Sequence, residues 1–238
     1  MQKKTKESPK QQDGLSLKNK HLTIHKELYR QRTCFNARFF LYLCRIFTRT
    51  IVIMTKANKV LFITQEITPY VSESEMANIG RHLPQAIQEK GREIRTFMPK
   101  WGNINERRNQ LHEVIRLSGM NLIIDDTDHP LIIKVASIQS ARMQVYFIDN
   151  DDYFQNRLQT ADENGVEYDD NDSRAIFYAR GVLETVKKLR WCPDVIHCHG
   201  WMTALAPLYI KKAYKDEPSF RDAKVVFSVY EDDLQSVA

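Results

Sequence analysis

The chain has 238 residues, 42% of them hydrophobic and 10% aromatic, which is enough to build one sizeable core. It contains no run of about 18 uncharged apolar residues, which argues against a transmembrane helix. Its net charge of +5 is unevenly distributed, because residues 1–53 hold 12 Lys and Arg against 3 Asp and Glu and so leave −4 for the remainder. A mildly acidic body of this kind predicts neither a nucleic-acid nor a membrane partner.

The first 53 residues differ in character from the rest. Residues 1–20 are polar, rich in Lys and Gln and without hydrophobic periodicity, which predicts disorder. Residues 34–54 are apolar but are interrupted by arginines and lack the small-residue cleavage site of a signal peptide. One interpretation of this stretch is a basic amphipathic helix at a membrane surface. We favour another, in which Met54 is a second start and residues 1–53 are an upstream extension before a globular domain at 54–238.

The globular part opens with a predicted strand–helix–strand unit. Residues 59–65 form a short apolar run typical of a buried parallel strand. Apolar residues then recur at helical spacing over 75–90, and Gly91 follows as a natural stop. Residues 93–98 predict a second strand, which completes a βαβ unit with a right-handed crossover.

The remainder alternates strands and helices around an acidic loop at 149–172. Further strands are predicted over 113–117, 122–124, 131–135, 143–148, 195–197 and 224–230. Turn residues occupy 125–128, and helices are predicted over 173–189 and 202–214. This alternation predicts an α/β fold with a doubly wound, mostly parallel sheet of the Rossmann-like kind.

The sequence predicts neither a cofactor nor a metal. It has only 8 glycines, and neither G-x-G-x-x-G nor G-x-x-x-x-G-K-[ST] occurs, so a self-sufficient dinucleotide or ATP domain is not expected. The segment from Cys192 to His199 holds two cysteines and two histidines, but adjacent strand residues point to opposite faces and no paired C-x-x-C occurs. The sparse cysteines favour a reducing cytoplasm over a secreted disulfide scaffold.

Two histidines mark the candidate site. A short apolar run at 195–197 delivers His197 and His199 to the point where a strand should give way to a helix. In open α/β folds, ligands bind beyond the carboxyl ends of the strands, so this position suits a functional site. The alternative is that one histidine caps the following helix or satisfies buried backbone groups.

Several short motifs follow one another between residues 59 and 230. They are KVLFITQE at 59–66 with Pro69, FMPKWG at 97–102, VYFIDN at 145–150 followed by Tyr153 and Phe154, DNxxR at 170–174, and HCHGWMTAL at 197–205. Taken together, they resemble the N-terminal half of bacterial glycogen (starch) synthases, which are retaining glycosyltransferases of the two-domain GT-B type.

The resemblance implies glucosyl transfer from ADP-glucose or another nucleotide-glucose donor to an α-1,4-glucan acceptor. It implies catalytic roles for His199 first and His197 second, with Asp170 orienting the histidine or the sugar. The substrate-binding residues that it implies are Trp201, Thr203, Asn171, Tyr153 and Glu66. Alternatives stay open for three of these residues: Asp170 could serve as charge near a helix N-terminus, and Trp201 and Tyr153 could be core residues.

The chain departs from the family pattern at the donor side. Residues 72–76 align with the family's Lys-Thr-Gly-Gly-Leu motif, and their carboxylates would repel a diphosphate. The same stretch fits a helix capping box from Ser72 to Glu75. Gly200 replaces an Asp of the family, and Tyr230-Glu231 stands where a His-Asn pair commonly follows the strand.

These departures leave three hypotheses about function. The sequence ends at Ala238, before the second domain whose Arg, Lys and Glu face the donor phosphates and the sugar in the family. The first hypothesis is therefore a glycosyltransferase domain that needs a separate C-terminal GT-B half as its partner. The second is a non-catalytic glucan-binding or regulatory domain. The third is a gene fragment.

Overall fold

The computed structural model describes residues 58–230, and the predicted extension at 1–53 lies outside them. Within this range there are eight strands: β1 (Lys59–Thr64), β2 (Glu93–Pro99), β3 (His112–Glu113), β4 (Met120–Ile124), β5 (Thr127–Ile138), β6 (Met143–Asp149), β7 (Val195–His199) and β8 (Lys224–Ser228). The α-helices of the same range are α1 (Glu75–Glu89), α2 (Asp151–Phe154), α3 (Asn171–Lys188) and α4 (Leu205–Lys212). None of the described helices is long and apolar enough to cross a membrane.

Strand β1 lies at the centre of five parallel strands, in the order β6-β2-β1-β7-β8. Beyond β6 the sheet becomes antiparallel, because β5 pairs with β6 and in turn carries β3 and β4. The chain leaves β1 towards β2 on one side, whereas β7 lies on the other side. The carboxyl ends of β1 and β7 therefore flank a topological switch point, where open α/β sheets bind ligands.

Buried apolar side chains explain why β1 is central. Leu61, Phe62 and Ile63 have no exposed surface, as a strand covered on both faces requires. Helix α3 is tied to two strands at once, because the hydroxyl of Tyr178 lies 2.8 Å from the Thr64 carbonyl oxygen and 2.9 Å from that of Phe97. The carboxyl ends of β1 and β2 are thus held together by a side chain that is itself fully buried.

Helix α1 begins with a different cap from the predicted one. Ser74 is the N-cap, and its Oγ accepts a hydrogen bond from the Ala77 N–H at 2.9 Å. Glu75 is therefore the first helical residue, and the capping box predicted from Ser72 to Glu75 is wrong. The serine two positions later does the capping because its side chain reaches the free N–H groups of the first turn.

Several other predicted elements differ from the structure. The strand predicted at 224–230 ends at Ser228. The strand predicted at 113–117 ends at Glu113, since a turn closed by the Leu117 N–H and the Val114 carbonyl follows. The turn predicted at 125–128 needs only two residues, Asp125 and Asp126, which adopt positive φ angles of 48° and 62° in a tight hairpin. The helix predicted at 202–214 is divided into a 3₁₀ turn, Trp201–Thr203, and helix α4.

Candidate functional site

The two predicted site histidines lie on one face of the sheet, between β1 and β8. His197 is paired in register with Phe62 of β1, and His199 with Thr64. Because side chains alternate along a strand, both imidazoles point to the side on which Phe62 lies, and the two imidazole ring centres are 4.0 Å apart. The ring of Phe62 lies 4.4 Å from that of His199 and 5.6 Å from that of His197.

His199 is buried, and its two ring nitrogens have different surroundings. Only 1% of the residue is exposed, and its Nδ1 lies 2.7 Å from the Tyr230 hydroxyl. Its Nε2 is also buried and has no hydrogen-bond partner within residues 58–230. Burial, aided by the neighbouring His197, lowers the pKa of His199 to about 3, so the imidazole is neutral at pH 7. A buried polar atom without a partner is uncommon and marks a place where a ligand can bind.

His197 is less buried than His199, and one of its ring nitrogens has a hydrogen-bond partner. Its Nε2 lies 2.9 Å from the Ser228 hydroxyl of β8. Burial lowers the pKa of His197 as well, so the pair presents two neutral rings rather than two like charges.

The turn that follows β7 depends on Gly200. Its φ of +80° lies in the left-handed region, and a Cβ built there would lie 2.5 Å from Gln65 Oε1 and 2.9 Å from Met76 Sδ. Gln65 is held in place, since its Oε1 accepts from the Met202 N–H at 3.2 Å and its carbonyl accepts from the Trp101 indole at 2.8 Å. The turn at position 200 therefore accommodates a glycine, whereas any side chain would displace Gln65 and Met76.

Trp201 and Thr203 follow this turn and have local contacts. The Thr203 hydroxyl is buried and donates to the Gly200 carbonyl at 2.8 Å, which closes the 3₁₀ turn. Trp201 is half-buried and packs against the core. Both residues follow His199 within four positions in the chain. The hydroxyl hydrogen of Thr203 is engaged by the Gly200 carbonyl, so it does not face a ligand beside His199.

Glu66 lies just after β1 and is joined to the start of helix α1. The Ser74 hydroxyl donates a hydrogen bond to its carboxylate. Glu66 is therefore near the carboxyl end of β1, on the side where α1 begins.

Asp170 and Asn171 form a second group that does not contact the histidines. Both oxygens of Asp170 accept from the Arg157 guanidinium at 2.6 Å, and Asn171 accepts from Arg174 at 2.7 Å. Burial raises the pKa of the Asp170 carboxyl, but the hydrogen bonds from Arg157 outweigh that effect and hold the pKa below its usual range. Within residues 58–230, the Asp170 carboxylate bonds to Arg157 and does not reach His199.

Tyr153 belongs to a third group, with His129 and Asp152. Its hydroxyl lies 3.1 Å from His129 Nε2, and His129 Nδ1 lies 3.0 Å from an Asp152 oxygen. Its ring is 5.3 Å from that of Phe177, so most of the Tyr153 side chain is part of the core. The structure therefore brings His197, His199 and the following turn together, but gives Asp170, Asn171 and Tyr153 other partners. Arg174 joins two of these residues, because it donates to Asn171 Oδ1 and to the Tyr153 carbonyl.

Sequence reasoning did not single out a charged cluster beside β2. Lys100 is only 7% exposed and pairs with Glu106 at 3.1 Å, and Lys134 bridges Glu106 and Asp149, at 2.7 Å from each. Burial lowers the pKa of Lys134, but its two carboxylate partners outweigh burial and raise it overall. The signal lay within the FMPKWG and VYFIDN motifs, where Lys100 and Asp149 each end a buried strand.

The described residues offer no arrangement of three or more His, Cys, Asp or Glu side chains suited to a metal ion. Cys198 lies between the two histidines in sequence, but it points to the opposite face and is fully buried. Burial raises the pKa of the Cys198 thiol to about 12, which disfavours the thiolate that a metal would need.

The fold and this face together define an open α/β domain with a ligand position beyond the carboxyl ends of two central parallel strands. The chain belongs to the starch synthase catalytic domain family, whose model matches residues 59–238. It is 41% identical over 179 residues to the glycogen synthase of Pelodictyon phaeoclathratiforme, covering 74% of this chain and 37% of that protein. It is likewise 41% identical over 173 residues to the glycogen synthase of Chlorobium limicola, covering 72% of this chain and 35% of that protein.

A solved structure has the same fold. The catalytic domain of starch synthase IV from Arabidopsis thaliana, bound to ADP and acarbose, superposes with a TM-score of 0.62 at 20% identity, covering 72% of this chain and 34% of that one. The chain matches the N-terminal portion of these larger proteins and spans little more than a third of their length. The predicted family and the predicted mostly parallel α/β fold are confirmed, and the domain boundary at residue 54 stays a prediction.

Proposed function

We propose that this domain forms the sugar-binding side of a glucosyltransferase site and that a donor-binding polypeptide completes it. The reaction would move glucose from ADP-glucose, or another nucleotide-glucose, to an α-1,4-glucan. The observation that supports the proposal best is the buried Nε2 of His199, which lacks a partner within residues 58–230 at the carboxyl end of β7. Membership of the starch synthase family gives this position its chemical context.

A neutral histidine suits this role. Its pKa of about 3 keeps His199 uncharged at pH 7, so it can form a directed hydrogen bond to a sugar hydroxyl without bringing a second charge to the site. Because the nitrogen lies in a water-poor environment, such a bond is stronger than it would be in water. His197, half-buried and 4.0 Å away between ring centres, would pack beside the same sugar.

The donor phosphates need positive charge, which the side chains that contact His199 within residues 58–230 do not offer. The described side chains in contact with His199 are Phe62, His197 and Tyr230. The Lys100–Lys134 cluster is already paired with Glu106 and Asp149. Neutralising a leaving diphosphate calls for Lys, Arg or a metal ion. We therefore propose that a C-terminal GT-B half supplies these groups, as the ADP bound to the plant relative suggests.

The proposal is tested by supplying the second half. The full chain is mixed with, or fused to, the part of the Pelodictyon glycogen synthase that lies beyond the matched region, and transfer of labelled glucose from ADP-glucose to glycogen is measured. We expect transfer only when both parts are present, and a loss of about 10²- to 10³-fold for His199→Ala. His112→Ala removes an exposed histidine at the far edge of the sheet and serves as the matched control. Full activity of His199→Ala, or no transfer in any combination, would reject the proposal.

A second function is favoured by the acidic start of helix α1. Glu73 and Glu75 are exposed and flank the N-cap Ser74, and the next residue, Met76, packs against the Gly200 turn. Negative charge at this position repels a diphosphate. The domain would then bind glucan without transferring glucose, as a regulatory or targeting module.

Gel retardation separates the two functions. A glucan-binding module is retarded by glycogen in a native gel without any donor half, and His199→Ala leaves most of the retardation in place because no transfer step is needed. Absence of retardation counts against this second function.

The free thiols of Cys192 and Cys198 fit a cytoplasmic location, which is part of either proposal.

A further inference from the structure

The hydroxyl of Tyr230 lies within hydrogen-bond distance of Nδ1 of the candidate site histidine, His199. Strands β7 and β8 are parallel, and their register places His199 opposite Ser228. Each imidazole contacts a hydroxyl two residues beyond its own register partner: His197 contacts Ser228, the last residue of β8, at 2.9 Å, and His199 contacts Tyr230, two residues after the end of β8, at 2.7 Å. The same two-residue offset for both pairs shows that the chain continues in the direction of β8 as far as Tyr230, whose hydroxyl then faces His199.

A neutral imidazole carries one proton, and its position is set by the partner of the other nitrogen. If the phenol O–H donates to Nδ1, the proton of His199 is on Nε2. If Nδ1 instead carries the proton, it must donate to the phenol oxygen, and Nε2 becomes an acceptor. A phenol is a good hydrogen-bond donor and an imidazole nitrogen a good acceptor, so the first arrangement matches each group to its stronger role.

We propose that Tyr230 is a positioning residue that holds the proton of His199 on Nε2, so that His199 offers a hydrogen-bond donor to an oxygen of the bound sugar. The identity of the ligand as a sugar rests on the function proposed above. The position of the proton on His199 does not depend on that function. A tyrosine keeps its O–H through the range around pH 7, whereas a histidine at position 230 would titrate there.

The proton position can be read directly. Two-bond ¹H–¹⁵N correlation spectra of the full chain distinguish the two neutral forms of each histidine, and His199→Gln assigns the signals by their loss. We expect wild-type His199 in the Nε2–H form, unchanged from pH 6 to pH 9. Tyr230→Phe removes only the hydroxyl, and we expect it to give a mixture of the two forms. A wild-type protein in the Nδ1–H form, or a Tyr230→Phe variant with an unchanged His199 spectrum, overturns the proposal.

Ser228→Ala is the matched control, because it removes the hydroxyl partner of His197 only two residues before Tyr230. We expect it to alter the His197 signals while leaving His199 in the Nε2–H form; a shift of His199 to the other form would contradict the specific role of Tyr230. Circular dichroism of each variant verifies the fold, and the wild-type spectrum tests the proton position even if Tyr230→Phe fails to fold.

A kinetic measurement connects the proton position to the proposed function. With the donor half supplied, Tyr230→Phe is expected to lower kcat about tenfold with little change in KM for glycogen, the size of one ordinary hydrogen bond. Unchanged kcat in an active complex would show that the proton position does not matter for transfer. If no complex is active but the spectra behave as expected, the proposed function fails and the role of Tyr230 in setting the proton position stands.

Discussion

Gly200 lies so close to the side chain of Gln65 that no Cβ fits between them. A Cβ at position 200 would lie 2.5 Å from Gln65 Oε1, and the backbone at this point has a φ of +80°. Two costs therefore combine in one residue, because a side chain here is strained by its own backbone and also collides with a neighbour. A side chain at this position would have to displace the ends of the Gln65 and Met76 side chains.

Gly200→Ala should be more destabilising than the same change at Gly119. Both glycines have nearly the same φ, +80° and +81°, but a Cβ at Gly119 would meet nothing within 4 Å. Gly200 also has a ψ of 159°, which places its backbone in a region that only glycine adopts readily. We expect this strain and the collision together to make Gly200→Ala more costly than Gly119→Ala by about 1–3 kcal/mol. Urea unfolding of the two variants measures it. Equal losses at the two positions would show that the contact with Gln65 is relieved without cost.

The ion pair of Asp170 and Arg157 should contribute stability that disappears in acid. The hydrogen bonds from Arg157 outweigh burial and hold the pKa of Asp170 below its usual value, so its contribution is present above the unfolded pKa of about 3.9 and is lost as the pH falls through the lower folded value. We expect Asp170→Asn to lose about 1 kcal/mol or less at pH 7, because the pair is partly exposed.

Urea unfolding of Asp170→Asn and wild type at several pH values tests this. The two stabilities should converge as the pH drops below about 4, where the wild-type carboxyl takes up its proton. A constant difference across the whole range would show that the effect of Asp170→Asn does not come from its charge.

The positions of the central strands and of the histidines could be predicted from the sequence, because a buried parallel strand leaves a continuous apolar run. Strands β1 and β7 are of this kind. The grouping of site residues could not be predicted in the same way. The family resemblance assigns Asp170 and Tyr153 to the same site as the histidines. In the structure Asp170 contacts Arg157 and Tyr153 contacts His129, and neither partner stands out in the sequence.

The cap of helix α1 shows a related limit. Residues 72–76 contain two serines and two glutamates, and a capping pattern can be placed on them in more than one register. The structure selects Ser74, whose hydroxyl also donates to Glu66 at the end of β1. This selection depends on a contact between residues eight positions apart, which a local pattern of three or four residues does not contain.

His199 should make the protein less stable in mild acid. Its pKa falls from about 6.5 in the unfolded chain to about 3 in the fold, so between these values the unfolded chain binds more protons. Stability is therefore highest above about pH 6.5 and is lost as the pH falls. From pH 7 to pH 5 we expect a loss of about 2 kcal/mol from this residue.

Urea unfolding at both pH values measures the loss, and His199→Gln should remove it. His112→Gln, which changes an exposed histidine of β3, should leave it in place. If wild type and His199→Gln show the same dependence on pH, then His199 does not carry a strongly lowered pKa.

Reversing the charge at the start of helix α1 should improve binding of a nucleotide diphosphate. Glu75 is exposed in the first turn of α1, next to Met76, which packs against the Gly200 turn. Replacing it with Lys removes a repulsion and adds an attraction at the end of the helix that already favours anions. We expect Glu75→Lys to bind ADP several-fold more tightly than wild type in calorimetric titration at low salt, with the gain reduced at high salt because the site is open to solvent.

Glu89→Lys makes the same charge change at the other end of the same helix and is the matched control. An equal gain from both variants would mean that net charge, and not the position beside the Gly200 turn, governs ADP binding.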